Sequence, residues 1–177
     1  MTLPTDRLIL EPWRTNCRVN RLLVQQLPAK IWDENIPGTT RRTMRTVAVH
    51  LHNARSRWIQ TLGVPWGVER PPMLSLTAAT RRDVLAALRR SDAGIEALLT
   101  LGLEHGGAIP PTRAYAWRNL PLDVGHVMAY FVAHEAHHRG QLVLIARQLG
   151  ARLPAAVTNA LWWWHPPKAA RARRAAR

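Results

Sequence analysis

Four stretches of the chain place apolar residues three and four positions apart, the spacing of one face of an α-helix. None alternates in the way a half-buried strand requires. The first stretch covers residues 14–27, with Val19, Leu22, Leu23 and Leu27 on one side, up to Pro28, which breaks or kinks it. Gly38-Thr39-Thr40 then offers a turn and an N-cap for a second helix over residues 41–62. Its apolar face reads Met44, Val47, Leu51, Ala54, Trp58 and Leu62. A loop rich in Pro and Gly spans residues 63–76, after which Thr77 can cap a third helix with Val84, Leu85, Leu88, Ile95, Leu98 and Leu99 inward. Gly102, Gly106, Gly107, Pro110 and Pro111 mark the next connection. Pro121 and Asp123 introduce the fourth helix, which Gly150 ends. Beyond it lies a short segment, residues 152–165, closing on Trp162-Trp163-Trp164-His165. Long helices joined by loops predict an all-α fold, a four-helix bundle. The predicted domain is residues 1–167, followed by a basic tail at 168–177.

The fourth helix carries the most informative letters, Ala133-His134-Glu135-Ala136-His137-His138-Arg139-Gly140-Gln141. Histidines four apart stand one turn apart on one helix face, so two imidazoles can address one ion without bending the backbone. At about 100° per residue, Val124, Val127, Phe131, Leu142, Ile145 and Leu149 form one stripe. His138 falls within that stripe and His134 at its edge, whereas His137 and His126 project away. Two imidazoles rarely hold a metal tightly, so a third ligand is needed. On the second helix His50 flanks the apolar face, and His52 points well away from it. His50 is therefore the better third ligand. His105 and His165 sit in no pattern that fixes their direction. A lone histidine on an apolar face is more often a hydrogen-bonded core residue than a ligand. The pair His134 and His138 beside a carboxylate outweighs that expectation.

The same letters spell H-E-x-x-H, in which Glu135 would be the general base of a zinc protease. That reading needs a further ligand downstream, and no Asp or Glu follows Glu135. The extended motif also fails, because Gly140 falls one residue early. Glu135 is instead expected to orient a ligand or a neighbouring arginine.

Composition narrows the classes. The 177 residues, 47% of them apolar, suit one globular domain with a real core. No apolar run reaches the length of a membrane span, and the first residues lack a basic-then-apolar signal pattern. Cys17 is the only cysteine, which excludes internal disulfides and multi-thiolate zinc sites and makes a reducing cytoplasm the expected location. Nothing local activates Cys17, so it reads as a buried structural thiol. The net charge is +14, from 25 Lys+Arg against 11 Asp+Glu, and Lys168, Arg171, Arg173, Arg174 and Arg177 concentrate part of it in the tail. A charge block of that kind reads first as a solvated tail and second as a contact for nucleic acid. No nucleic-acid motif accompanies it.

With these residues laid out, the chain resembles the DinB/YfiT-like family of metal-binding four-helix bundles. The resemblance runs from Trp13 to Trp164. It is carried by residues 134–141, by Ile145-Ala146-Arg147-Gln148-Leu149-Gly150 and by His50-Leu51-His52-Asn53-Ala54-Arg55. Asn16, Asn20 and Leu161-Trp162 fit less specifically, and Trp163 stands where the family end carries an acid. The resemblance implies a triad of His50, His134 and His138 on zinc or nickel, and often a homodimer. It further implies, for some members, thiol S-transfer with a low-molecular-weight thiol as cosubstrate. The leading expectation is therefore a metal-dependent thiol transferase acting on a small molecule. The alternative is a non-catalytic metal-binding module of the stress response.

Overall fold

The computed structural model describes residues 4–117 and 119–163. His165 and the basic tail at 168–177 lie outside them. The described residues form five α-helices and no strand: α1 (Thr5–Gln26), α2 (Met44–Trp58), α3 (Arg81–Glu104), α4 (Val124–Gln148) and the short α5 (Ala155–Ala160). The fold is an all-α bundle. Each of α1 and α2 packs against both α3 and α4.

The helix ends follow local chemistry. Thr43 caps α2 in a reciprocal box with Thr46, and Thr80 caps α3 in the same way with Asp83. The predicted caps at Thr39-Thr40 and Thr77 each lie a few residues too early. Thr39 instead bonds its own turn through Ile36, and Thr77 lies in the turn opened by Ser75. Asp123 caps α4 as expected, accepting from the His126 amide. The α4 exit uses Gly150 at φ +68°, a left-handed conformation that glycine adopts without strain. α1 differs most from its prediction. It begins at Thr5 and carries Pro12 inside it, because proline removes only one bond, on a stretch where Leu8 is exposed to solvent.

Two apolar clusters fill the bundle. One gathers Leu23, Leu27, Met44, Leu51, Leu88, Leu142 and Ile145; the other gathers Trp13, Ile59, Leu62, Ile95, Leu99, Val127 and Phe131. Read along each helix, α1 and α4 run from the second cluster to the first, and α2 and α3 run the opposite way. Because α2 and α3 are parallel, residues 64–80 must return the chain along the bundle before α3 can start.

That return explains a local departure from the predicted face of α2. The returning strand of chain contains Pro71-Pro72, which lack amide hydrogens and present carbonyls. Ser56 Oγ donates to the Pro71 carbonyl at 2.6 Å and His52 Nε2 to that of Pro72 at 2.9 Å. Asn53 Nδ2 donates to the Leu74 carbonyl at 3.0 Å, while its Oδ1 accepts from the Leu74 amide at 2.9 Å. The crossover thus covers a face of α2 that the helical wheel assigned to solvent. His52 is fully buried rather than outward.

Between the two clusters lies a belt of buried polar residues: Asn16, Asn20, Arg55, Ser91, Asp92, Glu135 and His138. Each of the four long helices contributes to it. The candidate site is built at its edge.

Candidate metal centre

α4 divides the belt in two, because consecutive residues point about 100° apart. Glu135 turns to the centre of the bundle, and its neighbour His134 turns to the gap between α2 and α4. Around Glu135 the polar groups close on one another. Arg55 donates Nε to Glu135 Oε1 at 2.5 Å and NH2 to Oε2 at 2.9 Å, a forked pair with no exposure on either partner. Asn16 and Asn20 each add an Nδ2 donor to Oε2 at 2.5 Å. The remaining arm of Arg55 reaches Asp92 Oδ1 at 2.5 Å, and Arg21 pairs with the other Asp92 oxygen. Trp13 lies under the guanidinium, 4.7 Å from its ring centre, and donates Nε1 to the Asp92 carbonyl. Burial is the largest single influence on the Arg55 pKa and lowers it, but the charge and hydrogen bonds of Glu135, together with Cys17, hold it above the ordinary arginine value. Both Glu135 oxygens are therefore committed to donors. No general base is left over for a protease, and the expectation that Glu135 serves a neighbouring arginine identifies its partner as Arg55.

On the other side of α4 three imidazoles converge. His134 Nε2 stands 3.3 Å from His50 Nε2 and 3.2 Å from His138 Nε2. These three are the group among the described residues that could hold a metal ion. A zinc–imidazole bond of about 2.0–2.1 Å in tetrahedral geometry sets ligand nitrogens about 3.3–3.4 Å apart, so the two spacings fit a shared ion. The tautomer of His138 is fixed by its neighbours. Its Nδ1 donates to Gln141 Oε1 at 2.9 Å, leaving Nε2 as a lone pair aimed at His134. Gln141 is held in turn, accepting from Arg42 and donating Nε2 to His137 Nε2 at 2.9 Å. His137 is exposed and takes no place in the trio, as expected. Burial, and then the neighbouring His138 and His134, push the His50 pKa down to about 4. His134 and His138 are lowered as well, with burial the largest cause. All three rings are neutral at pH 7, the state in which imidazole binds a metal.

His50 and His134 open on a cleft of ≈ 390 Å³ whose walls include Arg57, Trp58, Thr61, Trp117 and Tyr130. Tyr130, one turn before His134, stacks on that ring with centroids 5.6 Å apart and receives a hydrogen bond from Trp58 Nε1 at 3.2 Å. The far wall comes from the α3–α4 connection. Thr112 Oγ1 anchors it by donating to the Thr61 carbonyl at 2.6 Å. Thr61 lies in a π-helical turn, Ile59–Gly63, that continues α2. Widened turns of this kind recur at functional sites.

Several of these residues escaped the helical wheel. Arg55 occupies the interior of α2, where a charge is not expected. One signal was available: Glu135 follows Phe131 by four in the apolar stripe, and a buried carboxylate needs a buried cation. Cys17 behaves as a structural thiol. Burial pushes its pKa up to about 12, so it offers no thiolate at neutral pH. No helix among the described residues is long and apolar enough to cross a membrane.

The sequence model described as the DinB family matches residues 1–170. No curated protein and no solved structure matches the chain.

Proposed function

The chain belongs to the DinB family, and from that premise we propose that it is a divalent-metal enzyme transferring a thiol to a small electrophilic substrate. The metal ligands are His50, His134 and His138, with zinc or nickel as the ion that an all-imidazole set suits. One observation carries the reading: of three convergent imidazoles, His50 and His134 line an open cleft, and no carboxylate among the described residues joins the set. A closed structural site would supply its fourth ligand from the chain; an open one leaves a position for a substrate. A metal there supplies acidification of a bound thiol, which favours the thiolate nucleophile at neutral pH.

The chain's own residues do the rest. Gln141 orients His138 through Nδ1, and Tyr130 packs against the His134 ring. Trp58, Trp117 and Tyr130 give the cleft aromatic walls that exclude water from a flat or apolar electrophile. Arg57 places a positive charge in the same cleft, suited to an anionic low-molecular-weight thiol.

The test loads the full chain with zinc or nickel and follows loss of free thiol against a panel of thiols and electrophiles. Turnover in the wild type that disappears in His50→Ala supports the reading. Stoichiometric metal without turnover across the panel overturns the catalytic part and leaves a metal-binding module.

A further inference from the structure

A second cavity lies on another face of α4. It measures ≈ 540 Å³, is walled by α1, α4 and the segment around α5, and shares no lining residue with the histidine cleft. That volume is in the range of small-molecule sites, about 300–1,000 Å³. Its walls are mostly apolar: Val19, Val132, Val143 and Leu144 from the long helices, Leu161 and Trp162 from the turn that follows α5. Leu144 and Trp162 are 54% and 75% exposed, so the lip presents large apolar side chains to solvent. Arg18 fixes the outer wall by donating to the Trp163 carbonyl.

Two arginines, Arg139 and Arg147, line this cavity, and no acidic residue does. Arg139 donates NH1 to Asn16 Oδ1 and Asn20 Oδ1, both at 2.6 Å, and forms no salt bridge among the described residues. Glu135, the carboxylate whose charge acts on Arg139, already has its oxygens filled by Arg55 and the same two asparagines. No Asp or Glu follows Glu135 in the chain, so the tail brings no acidic side chain to Arg139. A partly buried guanidinium with no carboxylate bonded to it gains from an anion that reaches it.

The geometry points to a binding site for an amphipathic organic anion, its acid group on Arg139 and Arg147 and its apolar body against Val143, Leu144, Leu161 and Trp162. A second copy of the chain is a poorer occupant, because a symmetric contact would bury Arg139 and Arg147 of both copies on a face lined by no acidic residue. The site is independent of the metal reading and requires no metal.

Titration calorimetry of the full chain with monomeric dodecanoate, dodecanol and dodecyltrimethylammonium tests it. Dodecanoate is expected to bind one per chain, at least about tenfold tighter than the alcohol, with no binding of the cation. Arg139→Gln and Arg147→Gln are expected to erase the preference for the acid. Arg139 also touches the buried belt, so Leu144→Glu at an exposed position serves as the second variant. It is expected to weaken dodecanoate about tenfold, with the melting temperature and metal content unchanged. Equal binding of acid and alcohol, or indifference to Leu144→Glu, overturns the proposal. So does a dimer in sedimentation that Leu144→Glu dissolves, since the face is then an interface.

Discussion

His134 and Glu135 are adjacent in sequence and belong to opposite kinds of site. Around Glu135 the donors of Arg55, Asn16 and Asn20 meet acceptors, and Asp92 pairs with Arg55 and Arg21. Around His134 the three Nε2 atoms crowd to 3.2–3.3 Å, and the one whose tautomer is fixed presents a lone pair. The first arrangement is complete with the chain alone. The second gathers three imidazole nitrogens that could hold a metal ion. Polar residues of one belt thus divide into those that close on one another and those left able to take a ligand, and satisfaction of hydrogen bonds separates them more sharply than burial does.

The largest effect expected from breaking this contrast lies on the closed side. Glu135→Leu leaves the Arg55 charge buried with only Asp92 to meet it, at a cost of about 3–5 kcal/mol. Against a typical domain stability of about 5–15 kcal/mol, urea unfolding should show a much lowered midpoint or no folded baseline. His52→Ala comes next. It opens a buried space and leaves the Pro72 carbonyl without a donor, a loss of about 1–3 kcal/mol by the same measurement, with metal content unaffected. Gln141→Ala should do the reverse: little change in unfolding, but about 10–100-fold weaker metal affinity in a competition titration.

The smallest effect is at Cys17. Its pKa is raised from 9.0 to about 12 in the fold. As pH rises past 9.0 the unfolded chain loses this proton and the native one keeps it, so the unfolded state is favoured progressively up to about pH 12. Below pH 9.0 the contribution is flat. Unfolding curves of wild type and Cys17→Ala should therefore diverge in slope only above that pH, and native protein should resist iodoacetamide at pH about 8, where the unfolded chain reacts.

The comparison also marks what the amino-acid pattern could convey. Apolar spacing identified the four long helices and the caps at Asp123 and Gly150; the rule of one turn per four residues paired His134 with His138, and the place of His50 beside the apolar face of α2 added the third. It misjudged α2, because a wheel assumes one buried face. Here α3, α4 and the returning Pro71-Pro72 segment surround the helix, and His52, Asn53 and Ser56 are buried by contacts distant in sequence. Arg55 was missed for the same reason: its partners come from α3 and α4, and no local pattern records them. The expected start of α1 at residue 14 was late: the helix begins at Thr5 and runs through Pro12.

The central claim is that the open half of the belt is a metal site of three histidines. Metal content per chain, measured on wild type, His50→Ala, His134→Ala and His138→Ala beside the controls His52→Ala and His137→Ala, tests it most directly. The account predicts one divalent ion per chain in wild type and both controls, and its loss in all three triad variants. Retention of the ion in His50→Ala, or its loss in His137→Ala with the triad intact, would contradict it.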